Sequence, residues 1–219
     1  MQMIKGLSIL TALAAAFVTP AFAQQQQPMP MTFFVTSDGP GNGGDLGGLA
    51  GADALCQSLA ESAGRGDSTW HAYLSQAPSG GMAAVHARDR IGTGPWHNAN
   101  GDLIAANVAD LHEDRNNVRK DTALNESGEE VEGRGDEPNR HDMLTGSDSM
   151  GRLFDNNPAV STCNNWTSSS DEHTTRLGHH DRLGGPNASW NSVHTSRGCS
   201  QEALVGTGGD GLLYCFAID

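Results

Sequence analysis

The chain has 219 residues and a formal net charge of −13, from 13 Lys and Arg against 26 Asp and Glu. That balance excludes the basic footprint of a nucleic-acid binder and disfavours docking on anionic lipid. No apolar run reaches the roughly 20 residues of a membrane-spanning helix.

Residues 1–23 read as a secretory signal. Lys5 supplies the positive start, Leu7 to Val18 a short apolar stretch, and Ala21-Phe22-Ala23 the small-x-small cleavage site. Residues 24–30 form a polar, proline-bearing lead-in that is expected to be flexible. One domain is expected over residues 31–219, in an exported chain that is either periplasmic or secreted.

Met31 to Thr36 has strand composition, and the glycine-rich Ser37 to Gly48 reads as a turn region. From Leu49 the period changes. Leu49, Ala52, Leu55, Cys56, Leu59, Ala60 and Ala63 recur at three- and four-residue steps, which predicts an amphipathic helix stopped at Gly64. Cys56 falls on its apolar face. Trp70 to Ser75 reads as a second strand, and Ala83 to Ile91 as either helix or strand. Gly101 to Ala105 reads as a turn leading into a short strand. Asp110 to Ser149 and Thr167 to Gly198 are polar stretches without a clear period. Gly211 to Ile218 is apolar enough for a buried strand. The whole reads as α+β.

All four cysteines, Cys56, Cys163, Cys199 and Cys215, follow the signal. An even count in an exported chain predicts disulfides, with three pairings open. No two cysteines stand at C-x-x-C spacing, which disfavours a thiolate zinc site.

Several segments together carry a resemblance. They are Gly47 to Cys56, Trp70 to Leu74, Cys163-Asn164-Asn165-Trp166, Gly178-His179-His180-Asp181, Ser189-Trp190-Asn191-Ser192 and Leu213-Tyr214-Cys215-Phe216. In them the chain resembles the C-type-lectin-like fold, in particular a bacterial exported group related to its endostatin-like branch. The resemblance implies long polar loops on a core braced by nested disulfides, Cys56 with Cys215 and Cys163 with Cys199. It also implies that the first and last strands pair.

Calcium-dependent lectins of this fold bind sugar through Glu-Pro-Asn and Trp-Asn-Asp motifs. Glu137-Pro138-Asn139 and Trp190-Asn191 stand here in the same order, with Ser192 in place of the last aspartate. The resemblance thus offers Glu137, Asn139 and Asn191 as oxygen ligands for calcium, a cation that takes six to eight oxygens, and Trp190 as a sugar-facing ring. His173, His179, His180 and His194 with Asp181 form a second group, of the donor types that bind transition metals. Neighbours His179 and His180 should point to opposite faces of a strand, so one of them joins a given site. Acid–base chemistry would draw on Asp136, Glu137 or Asp142 beside His141. Arg-Gly-Asp occurs at Arg65 to Asp67 and at Arg134 to Asp136, and N-x-[ST] sequons open at Asn125, Asn165 and Asn187. No nucleophile-elbow, zincin or phosphate-loop pattern is present, so no catalytic residue is expected. The expectation is a non-enzymatic, lectin-like recognition module with a glycan ligand. The alternatives are a protein-binding adhesin or envelope-interaction protein, and a metal-dependent hydrolase.

Overall fold

The computed structural model describes residues 29–113, 115–185 and 187–219. The expected signal sequence, and the lead-in up to residue 28, lie outside the described residues. The elements are β1 (Phe33–Val35), α1 (Gly48–Ser62), β2 (Trp70–Ala72), a 3₁₀ turn (Ala87–Asp89), β3 (Trp96–His97), β4 (Leu103–Ala105), α2 (Val108–His112), β5 (Asp142–Leu144), α3 (Pro158–Ser161), α4 (Cys163–Trp166), β6 (Arg176–His179), β7 (His194–Thr195), α5 (Gln201–Val205), β8 (Gly209–Leu212) and β9 (Tyr214–Ala217). The architecture is α+β, with sheets ordered β1-β9-β2, β3-β4 and β7-β6-β5-β8.

β9 is buried at every position because both faces of its sheet are covered. Side chains alternate across a strand, so Cys215 and Ala217 face α1 while Tyr214 and Phe216 face the other way. β1 divides likewise: Phe34 joins Cys56, Ala60 and Trp70 under the helix, and Phe33 and Val35 join Trp96, Ile104 and Leu111 beyond. β1 and β9 are antiparallel, with Phe33 opposite Phe216 and Val35 opposite Tyr214. The expected meeting of first and last strands therefore holds. The Phe216 ring packs edge-on to Phe33 at 5.0 Å and to Trp96 at 5.2 Å between centroids.

Both disulfides pair as the resemblance implied, Cys56 with Cys215 and Cys163 with Cys199. The first joins the buried face of α1 to β9. The second is set in an unusual turn. Cys163, Asn164, Asn165 and Trp166 all have positive φ, from 46° to 64°. A left-handed turn costs about 1–2 kcal/mol for each residue with a Cβ, least for asparagine. Local contacts hold it. Asn165 bridges the Ala77 backbone at both N and O, and the Trp166 indole donates to the Ser75 carbonyl.

The polar stretches needed correction. Asp110 to Ser149 contains β5, and Thr167 to Gly198 contains β6 and β7. These strands are two to four residues long. That is too short to display a period of two, and their buried positions include Asp142 and His179. The expected terminal strand is two strands. The chain leaves one sheet as β8 and enters another as β9, with Leu213 between them.

Candidate functional site

Strand pairing builds the first site. β5 lies antiparallel to β6 with Asp142 opposite His179, and β6 lies antiparallel to β7 with Leu177 opposite His194. Opposed and diagonal neighbours on one sheet face touch. His179 and His194 therefore both reach Asp142, and His141 reaches it from the residue before β5. Nε2 of His141, His179 and His194 lies 3.4, 3.0 and 3.4 Å from Asp142 Oδ1. The His141 and His179 rings stack at 3.9 Å. Two glycines make the space. A Cβ on Gly208 would meet the Asn139 amide at 2.4 Å, and one on Gly209 would meet Asp142 Cβ at 2.9 Å.

Burial by itself would raise the Asp142 carboxyl, but the imidazoles of His179 and His194 outweigh it and bring the pKa down to about 2. The carboxylate in turn raises the His194 imidazole against its partial burial. Asp181 is also held low. Burial opposes this, but His141 and the backbone N–H groups of Arg134 and Leu183 dominate. The cluster opens toward a shallow pocket lined by Arg134, Asn139, Gly185 and Thr207. His141, Asp142 and His179 alone bring three ligand-type atoms within 4.8 Å of one another, a donor set suited to a transition metal.

The second site is a cleft of about 220 Å³ beside Trp190. Its walls carry His112, Glu113, Asn116, Ser149, Arg182, Asn187, Ser189 and Asn191. Behind these walls His112 joins the buried Tyr73 in a hydrogen-bond network. His112 Nδ1 lies 2.7 Å from the Val108 carbonyl, which can only accept, so Nε2 is the acceptor of the Tyr73 hydroxyl at 2.7 Å. The Asn191 amide donates to the same hydroxyl at 2.9 Å. Burial holds the His112 imidazole below its usual range and pushes the Tyr73 hydroxyl up. Asn116 bonds the Leu111 and Glu113 carbonyls, and Asn187 bonds the Ser192 carbonyl.

The structure does not assemble the four residues offered for calcium and sugar. Glu137 is exposed, and Asn139 lines the histidine pocket. Trp190 and Asn191 line the other cleft. The Trp190 ring is 3% exposed, packed on Tyr73 and Tyr214, so it is not free to stack on a sugar. The Asn191 oxygen accepts from Ser189, and Ser192 accepts from Arg176. The histidines divide as strand geometry predicts. His179 enters the cluster, while His180 turns away to the Glu132 carbonyl, where burial lowers it to about 4. His173 bonds Ser168 and stands apart from the cluster. Asp136 pairs with Lys120. Asn125 spends its side-chain oxygen on nearby backbone, Asn165 bonds the distant Ala77 backbone, and Asn187 is exposed.

Sequence reasoning placed the cluster's residues in two unrelated groups, His141 beside Asp136, Glu137 or Asp142, and His173, His179, His180 and His194 with Asp181. It missed His112, Tyr73 and Asn116 altogether, because nothing in their spacing joins them. Comparison with known families and with curated proteins finds no match to this chain.

Proposed function

We propose that this chain is an exported, C-type-lectin-like recognition module that binds a glycan in the cleft beside Trp190 and catalyses no reaction on it. The observation that carries the reading is the cleft's set of polar groups, fixed before any ligand arrives. Arg182, Asn187, Asn191 and Ser189 are anchored to backbone or to one another, and Ser149 and Glu113 stand at the rim. An amide can make four hydrogen bonds. Asn187 uses one N–H and one lone-pair direction on Ser192 and Ser189, which leaves one of each for a hydroxyl. A carboxylate, a guanidinium and an amide around a small polar cavity suit the vicinal hydroxyls of a sugar. The two disulfides fit an oxidising compartment, and no described helix is long and apolar enough to cross a membrane. Loops on such a rigid scaffold commonly carry binding.

The test is a glycan array probed with the exported protein, followed by calorimetry on the best hit. Binding that disappears in Asn187→Ala and Glu113→Ala, with an unchanged melting temperature, supports the reading. Binding indifferent to both substitutions moves the ligand elsewhere. An array without hits, together with capture of an envelope protein, favours the adhesin alternative.

A further inference from the structure

The histidine–aspartate cluster has its hydrogens on the outside. His179 Nδ1 lies 2.7 Å from the Leu183 carbonyl, His194 Nδ1 3.3 Å from the Thr195 carbonyl, and His141 Nδ1 3.3 Å from the Asp181 carboxylate. These partners accept and do not donate, so each ring places one proton on Nδ1 and turns Nε2 inward, where it carries either a second proton or a metal ion. All three Nε2 atoms face Asp142 Oδ1, and those of His179 and His194 are 3.0 Å apart. Asp142 is 2% exposed, and neither of its oxygens has a hydrogen-bond partner of acceptable geometry. Acceptors gathered in this way repel one another unless a cation lies among them, either an added imidazole proton or a metal ion.

The spacing suits a particular kind of cation. Zinc bonds of about 2.0–2.1 Å in tetrahedral array set their ligand atoms about 3.3–3.4 Å apart. The three distances to Asp142 Oδ1 and the one between His179 and His194, 3.0 to 3.4 Å, fall at that scale, while His194 stands outside the group of His141, Asp142 and His179 whose ligand atoms all lie within 4.8 Å. Three imidazoles are poor company for calcium, which wants six to eight oxygens. The outer partners match as well, since a ligating histidine normally gives its other N–H to a carboxylate or a carbonyl.

We infer that His141 and His179 through Nε2, with Asp142 through Oδ1, hold one zinc ion, on which His194 closes from the open edge as the fourth ligand. Four protein ligands fill a tetrahedral shell, so the ion fixes structure and does not activate water. What it fixes is specific. His179 and His194 are the two ends of the 180–193 excursion, which also supplies Arg182, Asn187, Ser189 and Asn191 to the cleft. The ion draws that excursion together at its neck.

The experiment loads the chelator-stripped, folded protein with Zn²⁺ and with Co²⁺. It measures affinity against a chromophoric chelator, the visible cobalt spectrum, and protease cleavage within residues 180–193. One Zn²⁺ per chain is expected, with no displacement by excess Ca²⁺. The cobalt form should show the intense bands of four-coordination, and metal should slow cleavage. His194 lies at the open edge, its side chain 33% exposed, so His194→Ala should keep the fold and lose the tight site at least about 100-fold. Asp142→Asn should lose it too, and His173→Ala should retain it. Asp181→Asn, acting through His141, should weaken it about 10–100-fold. Uptake that is equal in wild type and His194→Ala overturns the assignment. So does a weak six-coordinate cobalt spectrum, or the absence of stoichiometric binding in wild type.

Discussion

The two faces of the molecule are stabilised by opposite means. Around β9, aromatic rings fill the interior: Phe33, Trp96, Tyr214 and Phe216 pack with centroids 5.0 to 6.1 Å apart. Around β5 and β6 the interior is largely polar, with Asp142, Thr145, Ser147, Thr175, His179, His180, Asn191 and Ser192 all buried. Apolar packing is non-directional, so the first region depends on volume. The second depends on each donor finding its acceptor, because an unmet buried polar group is costly. One region tolerates exchange of shape-matched residues. The other specifies its residues atom by atom, and both candidate sites open beside it.

The disulfides give the largest contrast. Cys56–Cys215 spans 159 residues and Cys163–Cys199 spans 36. The chain-entropy model assigns them about 5 and about 4 kcal/mol. Replacing Cys56 and Cys215 together by alanine should therefore destabilise more than replacing Cys163 and Cys199, as read by urea unfolding. The reverse order would mean that the second bridge mainly maintains the left-handed turn at Cys163 to Trp166.

Within the aromatic region, Phe216→Ala should cost about 3–5 kcal/mol, since a cavity opens among rings that cannot close over it. In the polar region, Thr145 donates to the buried Asn191 carbonyl at 2.7 Å. Thr145→Val keeps the shape and orphans that oxygen, for about 1–3 kcal/mol by the same assay. A smaller loss for Phe216→Ala than for Thr145→Val would invert the comparison.

The polar region should also respond to pH. Burial depresses the His112 pKa in the folded chain, while the unfolded histidine stays near about 6.5. Below that value protons bind the unfolded chain first. Stability is therefore full above pH about 6.5 and falls as pH drops toward the folded value. The melting temperature should decline between pH 7 and 5, and less steeply in His112→Gln. His180, lowered by burial to about 4, adds a decline of the same sign that persists in that variant. At the small end, Arg115 is an exposed ion-pair partner of Asp110 and Glu113, and Arg115→Ala should shift stability by less than about 0.5 kcal/mol.

The contrast between regions also explains what could be read in advance. α1 was legible because a fifteen-residue helix shows its period, and β1 and the β9 region because their apolar runs are continuous. β5, β6 and β7 were not. Their burial is carried by polar residues whose partners lie tens of positions away, such as Asp142 with His179 and His141 with Asp181. Such partnerships are made by topology, and a single chain's spacing does not display them. The Glu-Pro-Asn and Trp-Asn matches were legible as strings, yet the fold sends them to separate pockets.

The cysteines are nested, 163 with 199 inside 56 with 215. Consider a single peptide-bond scission anywhere between the outer pair. Both fragments stay covalently joined through Cys56–Cys215, and a scission between residues 163 and 199 leaves them joined twice. A protease can therefore nick this chain between residues 56 and 215 without separating its pieces. The damage would be invisible on a non-reducing gel and would appear only when thiol reductant separates the pieces.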